Sequence, residues 1–270
     1  MIKALNEELH LVEQANEIQK AVDALNQEKQ MYLENNKNIE KLNAKVMEMC
    51  PPKIFICEDK KAIPLWDALF KKYGIENVSI MTSSGVHSDG IEKWIEQQAC
   101  INKDFTPIVW REVDRDGFMS EQQAAIEKKY KSRCHSSKKY RYSMLPVNEI
   151  ENFLLLANIA SVTDEDFNGI KNDITEAFEA TVFANLNVCN KYIPDEEDLF
   201  PAGNANKRTE IFQKMRREAL IDWRRYMPGK DILRLKGGID VQKSFKEMTS
   251  EKTPEDLQNY LKNIKDFFNE

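Results

Sequence analysis

An α/β fold, with a mostly parallel sheet flanked by helices, is what this sequence predicts, and three observations predict it. Short apolar runs (Ile54–Cys57, Val78–Met81, Pro107–Val113) alternate with helix-patterned stretches. That rhythm builds parallel sheets whose two faces are covered. Residues 1–49 contain no Gly or Pro and predict a long helical arm before the sheet. Beyond about residue 157 only helical patterns remain, so a helical C-terminal part closes the chain.

The expected organisation is a coiled-coil-like arm over 1–49, an α/β core over 52–156, and a helical extension over 157–270. In the arm, alternating steps of four and three residues give Leu11, Ala15, Ile18, Val22, Leu25, Lys29, Tyr32, Asn36, Ile39, Asn43 and Val46. The first half is an apolar seam, and Lys29, Asn36 and Asn43 interrupt the second half. Such an arm packs on a partner helix, pairs with its own copy, or folds back on the core. Pro51 and Pro52 end it, because proline cannot continue a helix and pushes its predecessor to extended geometry.

Ile54–Cys57 reads as the first strand and Ala62–Tyr73 as a helix burying Leu65, Trp66, Leu69 and Phe70, stopped by Gly74. Val78–Met81 is the second strand. A polar loop, Thr82–Gly90 (TSSGVHSDG), leads into a helix from about Ile91 to Cys100 and offers backbone N–H groups to a phosphate. Pro107–Val113 (PIVWREV) is the third strand and runs into Asp114-Arg115-Asp116-Gly117. Ser120–Tyr130 reads as a helix, Lys131–Tyr142 as a polar basic stretch, and Met144–Pro146 as another short strand. Glu149–Ala160 (EIENFLLLANIA) reads as the start of an apolar helix. Residues 161–190 read as helices, 190–208 as an irregular loop, and Thr209–Tyr226 as an amphipathic helix that Pro228-Gly229-Lys230 breaks. Short helices finish the chain. Trp66, Trp94, Trp110 and Trp223 lie in apolar-periodic contexts and read as core.

Composition narrows the function. The 270 residues hold 39 Lys and Arg against 45 Asp and Glu, a net charge of −6, which excludes a uniformly basic nucleic-acid coat but leaves room for local patches. The five cysteines are odd in number and lack a CxxC pair, which fits reduced thiols in a cytoplasmic protein. No apolar run approaches the ~20 residues of a membrane span, so no membrane is expected as a partner.

Acidic residues gather where parallel sheets form their sites, beyond the carboxyl ends of the strands. Glu58 follows the first strand, Asp114 and Asp116 follow the third, and Glu149 and Glu151 open the apolar run. Asp114 and Asp116, two apart on a strand extension, point the same way. Carboxylate oxygens suit magnesium or manganese, and one or two such ions relieve the repulsion of clustered carboxylates and assist an in-line phosphoryl displacement. Each acidic residue alone is more often a helix cap or a solvated charge. Their conjunction at one edge is what carries weight.

Basic stretches flank these positions. Residues 128–141 (KKYKSRCHSSKKYR) bring Lys128, Lys129, Lys131, Arg133, Lys138, Lys139 and Arg141, with Tyr130 and Tyr140 between them. Residues 214–236 add Arg224, Arg225, Lys230 and Lys236 among others. Basic side chains bind phosphates and tyrosines stack on unpaired bases, so nucleic acid is the expected partner. The plain alternative is a solvated loop and a salt-bridged helix. Lys230, after Pro-Gly at a turn, is a cation fixed in space and suited to stabilising transferring phosphate.

The order ICED (56–59), VDRDG (113–117), LPVNEIENFLL (145–155) and MPGKDILRLKGG (227–238) resembles the TOPRIM domains of OLD-family (overcoming-lysogenization-defect) nucleases. The resemblance covers about residues 52–238. It implies a Rossmann-like TOPRIM core. Glu58 would be metal ligand or proton-transfer group, Asp114 and Asp116 metal ligands, Glu151 with Glu149 further ligands, and Lys230 charge stabiliser. It further implies an anti-phage endonuclease, with DNA the first substrate and RNA or tRNA the second. Two departures stand out. Asp59-Lys60-Lys61 follows Glu58 where the family usually has Gly. No GxxxxGK[ST] occurs in the sequence, so any ATPase would be a separate partner. A catalytically degenerate scaffold binding nucleic acid or an ATPase is the competing expectation.

Overall fold

The computed structural model describes residues 2–83, 87–201, 204–235, 237, 239–248 and 252–270. In the first helix the side chains of residues 1–16, 18, 43, 44 and 47–49 are not described. The seam positions Leu11, Ala15, Ile18 and Asn43, the loop residues Ser84, Gly85 and Val86, and Lys236 therefore lie outside the described residues or side chains. The chain divides into two compact units, Met1–Cys50 and Pro51–Glu270.

The first unit is one helix, α1 (Ile2–Met49). The second begins with β1 (Lys53–Cys57), α2 (Ile63–Tyr73), β2 (Val78–Thr82), α3 (Gly90–Ile101) and β3 (Ile108–Val113). It continues through α4 (Ser120–Tyr130), β4 (Lys139–Met144), α5 (Asn152–Leu156), α6 (Asp164–Tyr192) and α7 (Ala205–Ile221). Four helices close it: α8 (Trp223–Tyr226), α9 (Gly229–Leu235), α10 (Val241–Glu247) and α11 (Glu255–Asn269). Among the described residues no helix is long and apolar enough to cross a membrane. All five cysteines are free thiols.

The four strands form one all-parallel sheet in the order β2-β1-β3-β4. Strand alternation explains why both faces are covered. Phe55, Cys57 and Trp110 enter the large core with Trp66 and Phe70 of α2 and Tyr260 and Phe267 of α11. Ile54, Ile56 and Val109 enter a smaller core with Ile95 of α3. On that face the buried Arg111 pairs with the equally buried Glu92, at 3.3 Å. Glu92 also accepts from the Tyr140 hydroxyl at 3.0 Å, so the buried charges are matched and hydrogen-bonded. From β1 the chain steps to β2 on one side and then crosses to β3 on the other. The order therefore reverses between β1 and β3, where such sheets open a crevice at their carboxyl ends.

Four expectations need correcting. The fourth strand is not Met144–Pro146 after a polar loop; it is Lys139–Met144, paired along β3 from Ile108↔Lys139 to Val113↔Met144. Its basic residues fit a strand because their charged groups lie over aromatic rings: the Lys139 ammonium is 4.4 Å from the Phe267 ring and the Arg141 guanidinium 4.8 Å from that of Trp110. Lysine on an outer strand also discourages pairing with another sheet. The apolar run from Glu149 yields only the short α5, because residues 148–151 form a turn bound to later parts of the chain. The stretch 190–208 is partly regular. α6 runs on to Tyr192, and α7 begins after Asn204, whose side chain caps it by accepting from Lys207 N at 3.1 Å. The last helix is not short: α11 has 15 residues and buries Leu257, Leu261, Ile264 and Phe268.

Candidate functional site

Glu58 immediately follows β1, and Asp114 immediately follows β3, its neighbour in the sheet. Their meeting is a consequence of register. The Asp114 N–H donates to Glu58 Oε2 at 3.2 Å. Two bonds hold the start of the β2 loop against Glu58: Thr82 Oγ1 donates to the Glu58 carbonyl at 3.2 Å, and Ser83 N to the Cys57 carbonyl at 3.0 Å.

The chain turns sharply after Asp114. Asp116 (φ 52°) and Gly117 (φ 78°) are both left-handed. Glycine is required at 117, since a Cβ there would meet Phe178 at 2.6 Å and Val182 at 2.7 Å. Asp116 has a Cβ and tolerates its conformation because neighbours fix it. Its side chain is hydrogen-bonded by Asn185 of α6, and its N–H points at the Asn148 carbonyl at 3.4 Å. The same carbonyl accepts from Arg115 N at 2.9 Å. Arg115 itself donates to the Phe118 carbonyl at 2.6 Å and stacks on Tyr226 at 4.2 Å.

The turn after β4 supplies Glu149 and Glu151, and the fully buried Asn152 organises it. Asn152 Oδ1 accepts from Glu149 N at 2.9 Å, while Nδ2 donates to the carbonyls of Arg224 at 2.9 Å and Met227 at 2.8 Å. Asn148 N adds a bond to the Arg225 carbonyl at 2.8 Å. These bonds clamp the turn to the segment before Lys230. The backbone N–H of Lys230 donates to Glu149 Oε2 at 2.9 Å, and its ammonium lies 3.7 Å from Asp59 Oδ2. Gly229 sits so close to Asn152 that a Cβ would lie 2.7 Å from Oδ1.

The result is a small depression lined by Glu58, Asp59, Lys61, Glu112, Asp114, Glu151 and Lys230, among others. Its enclosed part, about 10 Å³, has room for about one water or small ion. Burial raises the pKa of Glu58, opposed by the hydrogen bond from Asp114. Asp114 is raised well above the usual range by burial, then by the charges of Glu112, Glu58, Asp116 and Glu149. Burial and Glu58 push Asp116 up to about 7. Burial likewise brings Glu149 to about 7, against the Lys230 N–H bond. Glu151 is raised by burial and drawn down by Lys230, whose own pKa is raised by these carboxylates against its desolvation. Each carboxylate stands in the field of the others. The carboxylates offer only oxygen donors, whose charged forms disfavour one another without a cation, and this chemistry fits a hard divalent ion. Among the described residues, however, no group of three or more His, Cys, Asp or Glu is arranged to hold a metal ion.

The structure thus brings together Glu58, Asp114, Asp116, Glu149, Glu151 and Lys230. Sequence reasoning missed Glu112, 2% exposed beneath the depression, whose carboxyl is raised well above its ordinary range by burial and by Glu58. An acidic residue inside an otherwise apolar strand two positions before Asp114 was its signal. Asn152 and Asn185 carried none.

The basic residues scatter. Lys128 and Lys129 are exposed in the last turn of α4, and Lys131 and Lys138 are exposed nearby. Arg133 donates to the His87 carbonyl and lies over the Tyr130 ring. Lys139 pairs with Glu270 at 2.6 Å. Arg224 pairs with Asp164 at 2.8 Å, and Arg225 with both Asp222 and Asp256, so these two arginines tie helices together. Trp66, Trp110 and Trp223 are core, whereas Trp94 is 38% exposed.

Compared with protein-family models, curated proteins and solved structures, the chain matches none of them.

Proposed function

We propose that the protein is a metal-dependent endonuclease that hydrolyses nucleic-acid phosphodiester bonds, with a TOPRIM-like core. The observation that carries this reading is the approach of Glu58 to Asp114 across β1 and β3, with Asp116, Glu149, Glu151 and Lys230 around the same rim. Glu58, Asp114, Asp116, Glu149 and Glu151 would hold one or two magnesium or manganese ions. When bound, such an ion supplies Lewis acidity toward a phosphodiester oxygen. Lys230, fixed at the start of α9, offers a positive charge to the phosphate. Without the ion Asp116 and Glu149 sit near 7, so binding it at neutral pH would displace protons from them.

DNA is the favoured substrate. The exposed lysines at 128, 129, 131 and 138 are the candidates for backbone contacts. The resemblance stated above supports a role as effector of anti-phage defence, with a separate cytoplasmic ATPase as partner.

The purified protein is to be incubated with plasmid and with total RNA, each with magnesium or manganese. Cleavage should appear and should fall at least about a hundredfold in Glu58→Ala and Asp114→Ala, which remove charge from the reacting centre. Cleavage of RNA or tRNA alone would move the substrate from DNA to RNA. Nucleic acid bound but never cut would favour the second reading, a degenerate scaffold. What speaks for that reading is the absence, among the described residues, of a ready three-ligand metal group.

A further inference from the structure

Residues Met1–Cys50 form a unit of their own whose single helix leaves apolar side chains in water. Leu25 is 69% exposed, Tyr32 66%, Ile39 55% and Val46 53%. They recur every seven residues, and Val22, 47% exposed, leads the companion series that runs through Lys29, Asn36 and Asn43. The next step of that companion series is Cys50. Its N–H still bonds to the Val46 carbonyl at 2.7 Å, so the helical register carries through it. In heptad terms Leu25, Tyr32, Ile39 and Val46 are d, and Val22, Lys29, Asn36, Asn43 and Cys50 are a.

We propose that this arm pairs with the arm of a second copy of the chain as a parallel, in-register, two-stranded coiled coil. The interruptions identify the occupant. In a parallel, unshifted pair every a residue faces its own twin, so Asn36 meets Asn36 and Asn43 meets Asn43, each amide able to donate and accept. Reversing one helix sets a against d and buries these amides against apolar side chains. Slipping it by one heptad keeps only one Asn–Asn match of the two. Lys29 follows the same logic. Glu28 precedes it at g, and in a parallel pair the Glu28 of each copy flanks the Lys29 of the other. An unrelated helix would need matching polar residues at three separate levels, which a second copy supplies by identity.

The orientation matters for the rest of the molecule. Paired helices lie about 10 Å apart, so in the parallel form both Pro51–Glu270 units emerge at the same end. Antiparallel pairing would separate the exit points by roughly the length of the helix, about 70 Å for a helix of this size.

Light scattering on the full chain at micromolar concentration should give twice the 31.5 kDa of one chain. The double variant Leu25→Asp/Ile39→Asp should give the single mass with an unchanged melting temperature for the second unit, because both side chains are exposed in the lone arm. Diamide then reads orientation: it takes two electrons and two protons from a pair of thiols, becoming the hydrazine as an S–S bond forms. A covalent dimer should form in wild type and in Cys100→Ser, and vanish in Cys50→Ser. A single-chain or three-chain mass for wild type would overturn the proposal. So would a dimer that survives Leu25→Asp/Ile39→Asp, or one that never crosslinks through Cys50. None of these readouts depends on cleavage.

Discussion

Asn152 holds more of the candidate site in place than any single carboxylate does. Its amide satisfies one N–H and two carbonyls on segments more than 70 residues apart. Asn152→Ala leaves all three unpaired in the interior and should destabilise the second unit by about 3 kcal/mol, seen as a lower midpoint in urea. A midpoint equal to wild type would mean that the clamp forms without it. His87 offers a second residue-scale test. Its imidazole lies 2.6 Å from the Tyr130 hydroxyl, 3.5 Å from Cys189 Sγ and stacked on Tyr192, while Arg133 approaches its carbonyl. Burial, with help from Arg133, lowers its pKa to about 4. Unfolded, the ring takes a proton near 6.5. Between these values the unfolded state binds more protons, so the His87 contribution is complete above about pH 6.5 and is lost as pH falls toward 4. Relative to His87→Gln, wild type should therefore lose stability across that window. Parallel curves would refute the assignment.

At the scale of elements, what the sequence made legible was what period and punctuation encode. β1, α2, β2 and α4 lie within a residue or so of their expected bounds, because apolar alternation, the Gly74 stop and the Pro51-Pro52 break are local signals. β4 was hidden because its residues are basic and tyrosine-rich. Only the rings of Trp110 and Phe267, far away in sequence, make Arg141 and Lys139 acceptable in a sheet. α11 was underestimated for a related reason, since nothing local says that its apolar face will cover the sheet. The acidic residues of the site could be picked out singly because they follow strands. Glu112, buried inside β3, and Asn185, set by the geometry of α6, could not. The importance of α11 is open to measurement. Ile264 is fully buried between it and the sheet core, so Ile264→Ala should cost about 2–5 kcal/mol in chemical denaturation. A loss below about 1 kcal/mol would mean that α11 is an ornament on an otherwise complete core.

For the molecule as a whole, the field of the clustered carboxylates couples stability to pH and to cations. Asp116 and Glu149 titrate near 7 in the folded chain and near 4 when unfolded. Between those values the folded state holds protons that the unfolded state has released. Metal-free stability should accordingly fall as pH rises from about 4 to about 7 and level off above. A divalent cation held there, as proposed, would compete with those protons. Manganese or magnesium should therefore raise the melting temperature more at pH 8 than at pH 5.5, by an amount approaching 2.7 kcal/mol when present at about a hundred times its dissociation constant. Equal gains at both pH values, or none, would separate the cation from these carboxylates.

The clamp from Asn148 and Asn152 to residues 224–227 has one more consequence, which concerns timing. Glu58 and Asp114 are joined through the sheet itself, whereas Lys230 and the Glu149 turn depend on a stretch more than a hundred residues further along the chain than the aspartate turn. A chain cut short before that stretch lacks Lys230 and the carbonyls of 224–227 that hold the Asn148–Asn152 turn. If the carboxylates and Lys230 act together as proposed, the site is complete only once residues 224–230 have docked.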